Sequence, residues 1–335
     1  MRWTRSWRWL RLLGGAAVLA AVVHRWGATP FLDAVRRVDV RLLGLAVGVA
    51  GVTTLCAARR WVVVAEGLGT GLPLHTALAA CYRSQLINST LPAGVLGDVD
   101  RGVNHGRVVG DLGRGLRGVW WERSAGQAVQ ALLTVAVVLA VPSPFRPSRA
   151  VVVAGLIALT LAVTMLHRAS AGSSWLGTLV RAVVADVRRG LLPARTWPRV
   201  LAMSVVVVVG HCATFVIAAR AAGSTAPLTT LLPLTLLVLM ASGLPLNVAG
   251  WGPREGAAAW AFGVAGLGTT AGVGASAVYG VLALVASSPG AVVLVVDSLR
   301  RTRAGRLTVS PPVGLSGSGE RAAPTRVRVG SSVGG

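Results

Sequence analysis

Adjacent opposite charges beside apolar runs are the groups in this 335-residue chain best placed to do chemistry. The first set is Asp98-Val99-Asp100-Arg101, followed by Glu122-Arg123. The second is Arg254-Glu255. A guanidinium presents a planar fork of donors that matches phosphate geometry and binds it bidentately. A neighbouring carboxylate can hold the same fork when no phosphate is there. The expected chemistry is capture of a phosphate-bearing group, with Arg101, Arg123 and Arg254 as contacts and Asp98 and Glu255 as their resting partners. Charges at the ends of apolar segments are costly and usually functional.

Other constellations are weaker. Asp98-x-Asp100 could hold a metal against a nucleotide-sugar diphosphate, which requires a sizeable soluble domain. The longest polar segments, 97–123, 168–199 and 298–335, hold 27, 32 and 38 residues, too few for one. His211 and Cys212 are adjacent, so on a helix they point about 100° apart and suit packing better than joint metal ligation. Asn88-Ser89-Thr90 matches a glycosylation acceptor only by coincidence, since it falls in an apolar segment. Cys56, Cys81 and Cys212 show no metal spacing, and an odd count argues against a disulfide framework. No Ser-His-Asp or Cys-His arrangement and no phosphate-binding loop of the G-x-x-x-x-G-K type is present. No cofactor is expected, and any transport is passive or ion-coupled.

The elements that must position these groups are membrane helices. Hydrophobic residues make up 53% and charged residues 13% of the chain, against about 25% charged in soluble domains. All 33 basic residues are arginine, and with 11 acidic residues the net charge is +22. The arginines fall in short clusters between apolar runs rather than on one basic face, which favours a membrane over nucleic acid as partner. A helix needs about 20 apolar residues to cross the hydrocarbon core. Eight spans are expected, at 10–24, 41–58, 124–141, 150–167, 200–219, 226–243, 256–267 and 273–296. Gly266, Gly268, Thr269, Thr270 and Gly272 supply the break between the last two. The segment 12–24 reads as a retained helix rather than a cleaved signal, because no clear cleavage site precedes Arg25.

Arginine placement sets the orientation. With the N-terminus cytoplasmic, inside segments, including 59–60 and 97–123, hold 24 arginines and outside segments hold 7. Both termini are therefore expected in the cytoplasm of a multi-pass protein of the cell membrane. Trp3, Trp7, Trp9, Trp26, Trp61, Trp120 and Trp121 lie near the expected interfaces, where an apolar ring with a polar N–H is favoured. Residues 30–40 read as an amphipathic surface helix. Gly44-x-x-x-Gly48 reads as a helix-packing motif. Residues 1–300 are expected to form the transmembrane domain, and 301–335 a disordered basic cytoplasmic tail lying against anionic lipid.

Two stretches break the apolar pattern. His75–Asp111 carries Arg83, Gln85, Asn88, Ser89 and Thr90 in an apolar segment interrupted at Pro92 and Gly94, with Gly97 and Asp98 following. Ser242–Glu255 carries Pro245, Asn247, Gly250, Gly252 and Pro253 ahead of Arg254. Glu255 stands at an expected helix N-terminus, where the dipole favours a carboxylate. Irregular backbone cannot face lipid and must line a cavity or be buried in protein. A pair of Gly/Pro-interrupted apolar segments in the two halves of a chain points to a transporter's binding site. The two segments are expected to meet in one polar cavity.

These residues carry a family resemblance. Leu91-Pro92, Gly97-Asp98, Arg101 and Glu122-Arg123 resemble the first signature of the lysylphosphatidylglycerol synthase transmembrane-region family, also called flippase-like proteins. Pro245 with Gly250-x-Gly252-x-Arg254-Glu255 resembles the second, and Arg59-Arg60-Trp61 fits the same pattern. The resemblance covers roughly residues 10–300. Leu96 stands where many members have a second Gly before the Asp, and Pro253 precedes the Arg, so the local turn differs at both places. The resemblance implies an all-α, polytopic membrane protein that moves or positions lipids. Some relatives fuse this region to a soluble aminoacyl-transferase domain, and none is expected here. The expected site comprises Asn88, Pro92, Gly97, Asp98, Arg101, Arg123, Asn247, Gly250, Gly252, Arg254 and Glu255. Its expected ligand is an anionic phospholipid or a polyprenyl-phosphate-linked sugar. Two alternatives stay open. One is a membrane-embedded lipid-modifying transferase using Asp98, Asp100, Glu122 or Glu255. The other is a non-catalytic adaptor that docks a glycosyltransferase.

Overall fold

In the computed structural model, the residues described are 36, 38–91, 94–141, 175–243 and 252–307, and every regular element among them is helical. In chain order these are α1 Val40–Gly67, α2 Leu74–Thr90, α3 Leu96–Val109, α4 Leu112–Ala140, α5 Trp175–Gly190, α6 Trp197–Ala221, α7 Leu228–Ser242, α8 Pro253–Val264, α9 Thr269–Ala286 and α10 Pro289–Leu307. Four stretches are long and apolar enough to cross a membrane: Val40–Gly67, Leu112–Ala140, Trp197–Ala221 and Thr269–Leu299. The expected spans at 10–24 and 150–167, and most of the surface helix at 30–40, lie outside the described residues. The chain divides into two compact units, Met1–Val295 and Val296–Gly335. Of the expected tail, 301–307 continues α10, and the rest lies outside the described residues.

Two helices overrun their expected ends for the same reason. α1 continues through Arg59 and Arg60 to Gly67, and α4 begins at Leu112 rather than 124. The arginines at 59–60 and the Glu122-Arg123 pair therefore sit inside helices, not in loops. Arg60 and Glu122 are both buried and paired with each other, so their charges do not force the backbone out to water. The start of α4 is set by Asp111, whose side chain accepts a hydrogen bond from the Arg114 backbone N–H at 2.9 Å, an N-cap. That hydrogen bond holds the exposed Asp111 carboxyl below its ordinary range. Just before it, α3 stops at Gly110, whose φ of +74° closes the helix in the left-handed region.

The last spans also shift. The break after α8 runs through Gly266 and Gly268, both with positive φ, so α9 begins at Thr269 rather than 273. A turn at Ser287-Ser288 then divides α9 from α10. Ser287 donates its hydroxyl to the Leu284 carbonyl at 2.8 Å, and Pro289 opens the next helix, where its missing N–H costs nothing. Residues 168–199, expected as a polar segment, contain α5.

The core has two parts. Phe215, Leu231, Leu234, Phe262, Val278 and Leu282 join α6, α7, α8 and α9. Ala58, Trp61, Ala65, Ala77, Cys81 and Val119 join α1, α2 and α4. Trp61 is only 1% exposed, so it is a core residue and not an interface anchor, whereas Trp120 is exposed. Large apolar side chains such as Leu55, Leu132, Val135, Val209 and Leu284 face outward. A surface of that kind suits lipid. Where helices meet, glycines bring backbones together, as expected of membrane packing. A Cβ on Gly115 would lie 2.4 Å from the Gly106 nitrogen, and one on Gly272 would lie 2.2 Å from the Ala258 oxygen. Gly44 and Gly48 have nothing within 4 Å of a Cβ position, so that motif joins no described helix.

Candidate functional site

The expected break in the first polar stretch separates α2 from α3, and the two helices fold back on each other. Gly97 is a point of close approach: a Cβ there would lie 2.2 Å from the Ser84 backbone oxygen. That proximity brings α2's polar side chains onto Asp98. Ser84 Oγ donates to Asp98 Oδ1 at 3.2 Å, and Asn88 Nδ2 donates to Asp98 Oδ2 at 2.9 Å. Asn88 also accepts from the Gly97 backbone N–H at 2.7 Å. On the other side, Arg101 Nε donates to Asp98 Oδ1 at 3.1 Å and Arg123 Nη1 to Oδ2 at 2.6 Å. Asp98 thus takes donors from α2, α3 and α4. Asp100, the second acid of the D-x-D, pairs with Arg83 at 2.9 Å. Among the described residues no three His, Cys, Asp or Glu side chains gather as metal ligands.

Behind Asp98 lies a buried ionic knot. Glu122 is 2% exposed and bridges two arginines. Arg60 donates to its Oε1 from Nε, at 2.9 Å, and from Nη2. Arg101 Nη2 donates to Oε2 at 2.6 Å. Arg60 Nη1 reaches Ser204 Oγ on α6 at 2.9 Å, and Arg101 Nη1 reaches Cys81 Sγ at 3.4 Å. The Arg101 guanidinium also stands 4.8 Å from the centre of the Trp61 ring, a cation–π contact. Arg101 therefore has four partners, Asp98, Glu122, Cys81 and Trp61, which hold its charge in place.

The second polar stretch is described only at its end, since Asn247 and Gly250 lie outside the described residues, as does Pro92. Gly252 caps α8 with φ +121°, in the region that favours glycine. Glu255, three residues on, accepts the Gly252 N–H at 2.6 Å. This is the carboxylate half of a capping box. Its other oxygen accepts Arg254 Nη2 at 2.7 Å and Ser276 Oγ at 2.9 Å. Arg254 stands 5.2 Å from the Tyr279 ring centre, and Tyr279 Oη lies 3.1 Å from His211 Nδ1.

Both stretches contribute to one cavity of about 360 Å3. Of the expected residues, Asn88, Asp98, Arg101, Arg123 and Arg254 line it. Gly97, Gly252 and Glu255 stand behind it as helix-packing or capping groups. Arg60, Ser84, His211 and Tyr279 line it too and were not expected there, and Glu122, expected only as an acid of the transferase alternative, lines it as well. Arg60 and Glu122 are hidden from a hydropathy reading by their own pairing, although the Arg59-Arg60-Trp61 and Glu122-Arg123 signatures pointed to them. His211 is not a packing residue: it faces the cavity, while Cys212 turns into the core. Four guanidinium groups face two lining carboxylates, so with Glu255 counted the site keeps a net positive charge. Arg123 differs from the other three: its side chain is 49% exposed.

A model of the family described as Lysylphosphatidylglycerol synthase TM region matches residues 8–290. No curated protein and no solved structure matches the chain.

Proposed function

The chain belongs to the lysylphosphatidylglycerol synthase TM-region family, and on that premise we propose that its cavity binds the anionic headgroup of a lipid and carries it between leaflets. That it is a membrane protein connected with lipid handling follows from the family and the apolar helices. The flippase reading rests on one observation: an arginine-rich cavity of about 360 Å3 inside an apolar helical protein. Anionic phospholipids and polyprenyl-phosphate-linked sugars both carry the phosphate such a site suits. Arg123 is the principal phosphate ligand, because it is the most accessible of the four arginines, and Arg254 lines the same cavity. Asp98 holds Arg123 until phosphate replaces it. The basic segment 301–335 is a cytoplasmic tail against anionic lipid, and both termini are cytoplasmic.

The test is scrambling of labelled lipids in liposomes carrying the purified protein. Faster exchange of an anionic lipid than in empty liposomes supports the reading, and equal rates contradict it. Arg123→Lys should fold normally yet lose roughly 10- to 100-fold in transport, because hydrogen bonds to charged groups are worth about 1.5–3 kcal/mol and an ammonium lacks the fork. Unchanged transport at matched expression would leave Arg123 as a structural partner of Asp98.

Orientation has its own check. A cytoplasmic reporter at Gly335 and an external one within 143–148 are the expected pair. An external C-terminus would reverse the arginine argument.

A further inference from the structure

His211 on α6 lines two adjoining cavities, of about 360 and 240 Å3, which also share Arg60, Arg123 and Tyr279. The residue is exposed. Its Nδ1 lies 3.1 Å from Tyr279 Oη. In the tautomer whose Nδ1 donates to that oxygen, the lone pair is left on Nε2. No bond from another described residue reaches Nε2. A proton arriving there leaves the Tyr279 bond intact, so the ring can charge without losing its place. The helices packed on α6 bring Arg60 from α1, Glu122 and Arg123 from α4, and Tyr279 from α9, while α7 brings only the neutral Ser242. Cys81, Asp98, Arg101 and Arg254 complete the titratable groups on the described walls. Of all these residue types, only histidine ordinarily changes charge between about pH 5 and pH 8.

We propose that His211 is a proton-binding site loaded together with the phosphate, so that each anionic lipid is carried with one proton. This rests on the anionic-headgroup reading and deepens it. The coupling is electrostatic. In the empty cavity an imidazolium would add a cation to walls already rich in guanidinium. A phosphate among the same arginines offsets that repulsion. The anion and the proton therefore favour each other's binding, and by equal factors. The charges also balance. A phosphodiester brings one negative charge and the proton one positive charge, so the loaded cavity carries the charge of the empty one. The proton comes from water at the leaflet of origin and returns to water on the other side. Passage of the pair moves no net charge, so the membrane potential does not act on it and a pH gradient drives it.

The test titrates two short-chain probes calorimetrically into the full chain in detergent. They are phosphatidylglycerol and a prenyl-phosphate hexose, both phosphodiesters whose single charge does not change near neutral pH. Repeating each titration in two buffers of different ionisation enthalpy counts the protons taken up per ligand. Whichever probe binds should take up a fraction of a proton, most between about pH 6 and pH 7. It should bind on the order of tenfold tighter at about pH 6 than at about pH 8. His211→Gln, which keeps a polar side chain beside Tyr279, should hold the alkaline wild-type affinity at every pH and take up no proton. Binding without proton uptake by the wild type overturns the proposal, and needs no variant to fold. Undiminished uptake by His211→Gln overturns it too, by placing the proton elsewhere. In liposomes, a pH gradient should accumulate the labelled lipid in the leaflet on the alkaline side, and a membrane potential at equal pH should not. A level distribution under the gradient, despite linked binding, overturns the coupling. Failure of both probes to bind at every pH overturns the anionic-headgroup reading beneath it.

Discussion

Glu122→Ala should remove most of the folded protein. The carboxylate is almost wholly buried and neutralises Arg60 on α1 and Arg101 on α3 from its place on α4. Without it, two buried guanidinium groups lose the carboxylate they share, one of them stacked on Trp61. Breaking a buried ion pair costs about 3–5 kcal/mol, a large share of a typical stability of roughly 5–15 kcal/mol. Arg101 keeps Asp98 as a second partner, so Arg60, left with Ser204, suffers more. The measurement is monodisperse yield and melting temperature in detergent. Adding Arg60→Met to the variant should recover part of the loss, since apolar replacement of a buried ionic cluster is often neutral or stabilising. A wild-type melting temperature for Glu122→Ala would mean that the knot contributes nothing.

Gly97→Ala should disable the protein by a different route. The added methyl would sit 2.2 Å from Ser84 O, 2.7 Å from Ser84 Cα and 2.8 Å from Ser84 C. Those atoms are backbone, so no side chain can swing away, and α2 and α3 must separate. Overpacking typically costs about 1–3 kcal/mol, and the fixed backbone places this case at the upper end. Separation also stretches the Asn88 contacts to Gly97 and Asp98, so the proposed lipid transport should fall further than stability. Gly71→Ala is the control, because its added methyl has nothing within 4 Å. A Gly97→Ala variant with normal melting and transport would show that the approach is not required.

Much of this was legible in the chain itself. The opposite charges at 98–101, 122–123 and 254–255 stand out because apolar surroundings make isolated charges expensive. The Pro and Gly around them mark where helices break and start again, as at Gly252 and Gly268. What escaped was anything that depends on pairing across the sequence. Arg60 reads as the end of a span until Glu122, 62 residues away, is known to neutralise it. Trp61 reads as an interface anchor until Arg101 is found over its ring. His211 has no local signal, because its partner Tyr279 lies 68 residues further on. Gly97 was singled out for its place in a motif, but its reason, the Ser84 backbone, belongs to another helix.

The long reach of the Arg60 contacts has a consequence in time. Ribosomes deliver about 5–20 residues per second. Glu122 follows Arg60 by 62 residues and Ser204 by 144, so the carboxylate emerges about 3–12 s later and the hydroxyl about 7–29 s later. Throughout the first interval α1 carries a guanidinium that its finished neighbour has yet to meet. During synthesis the nascent helix must therefore wait with that charge in contact with water, headgroups or the insertion machinery, and settle to its final depth only once α4 arrives.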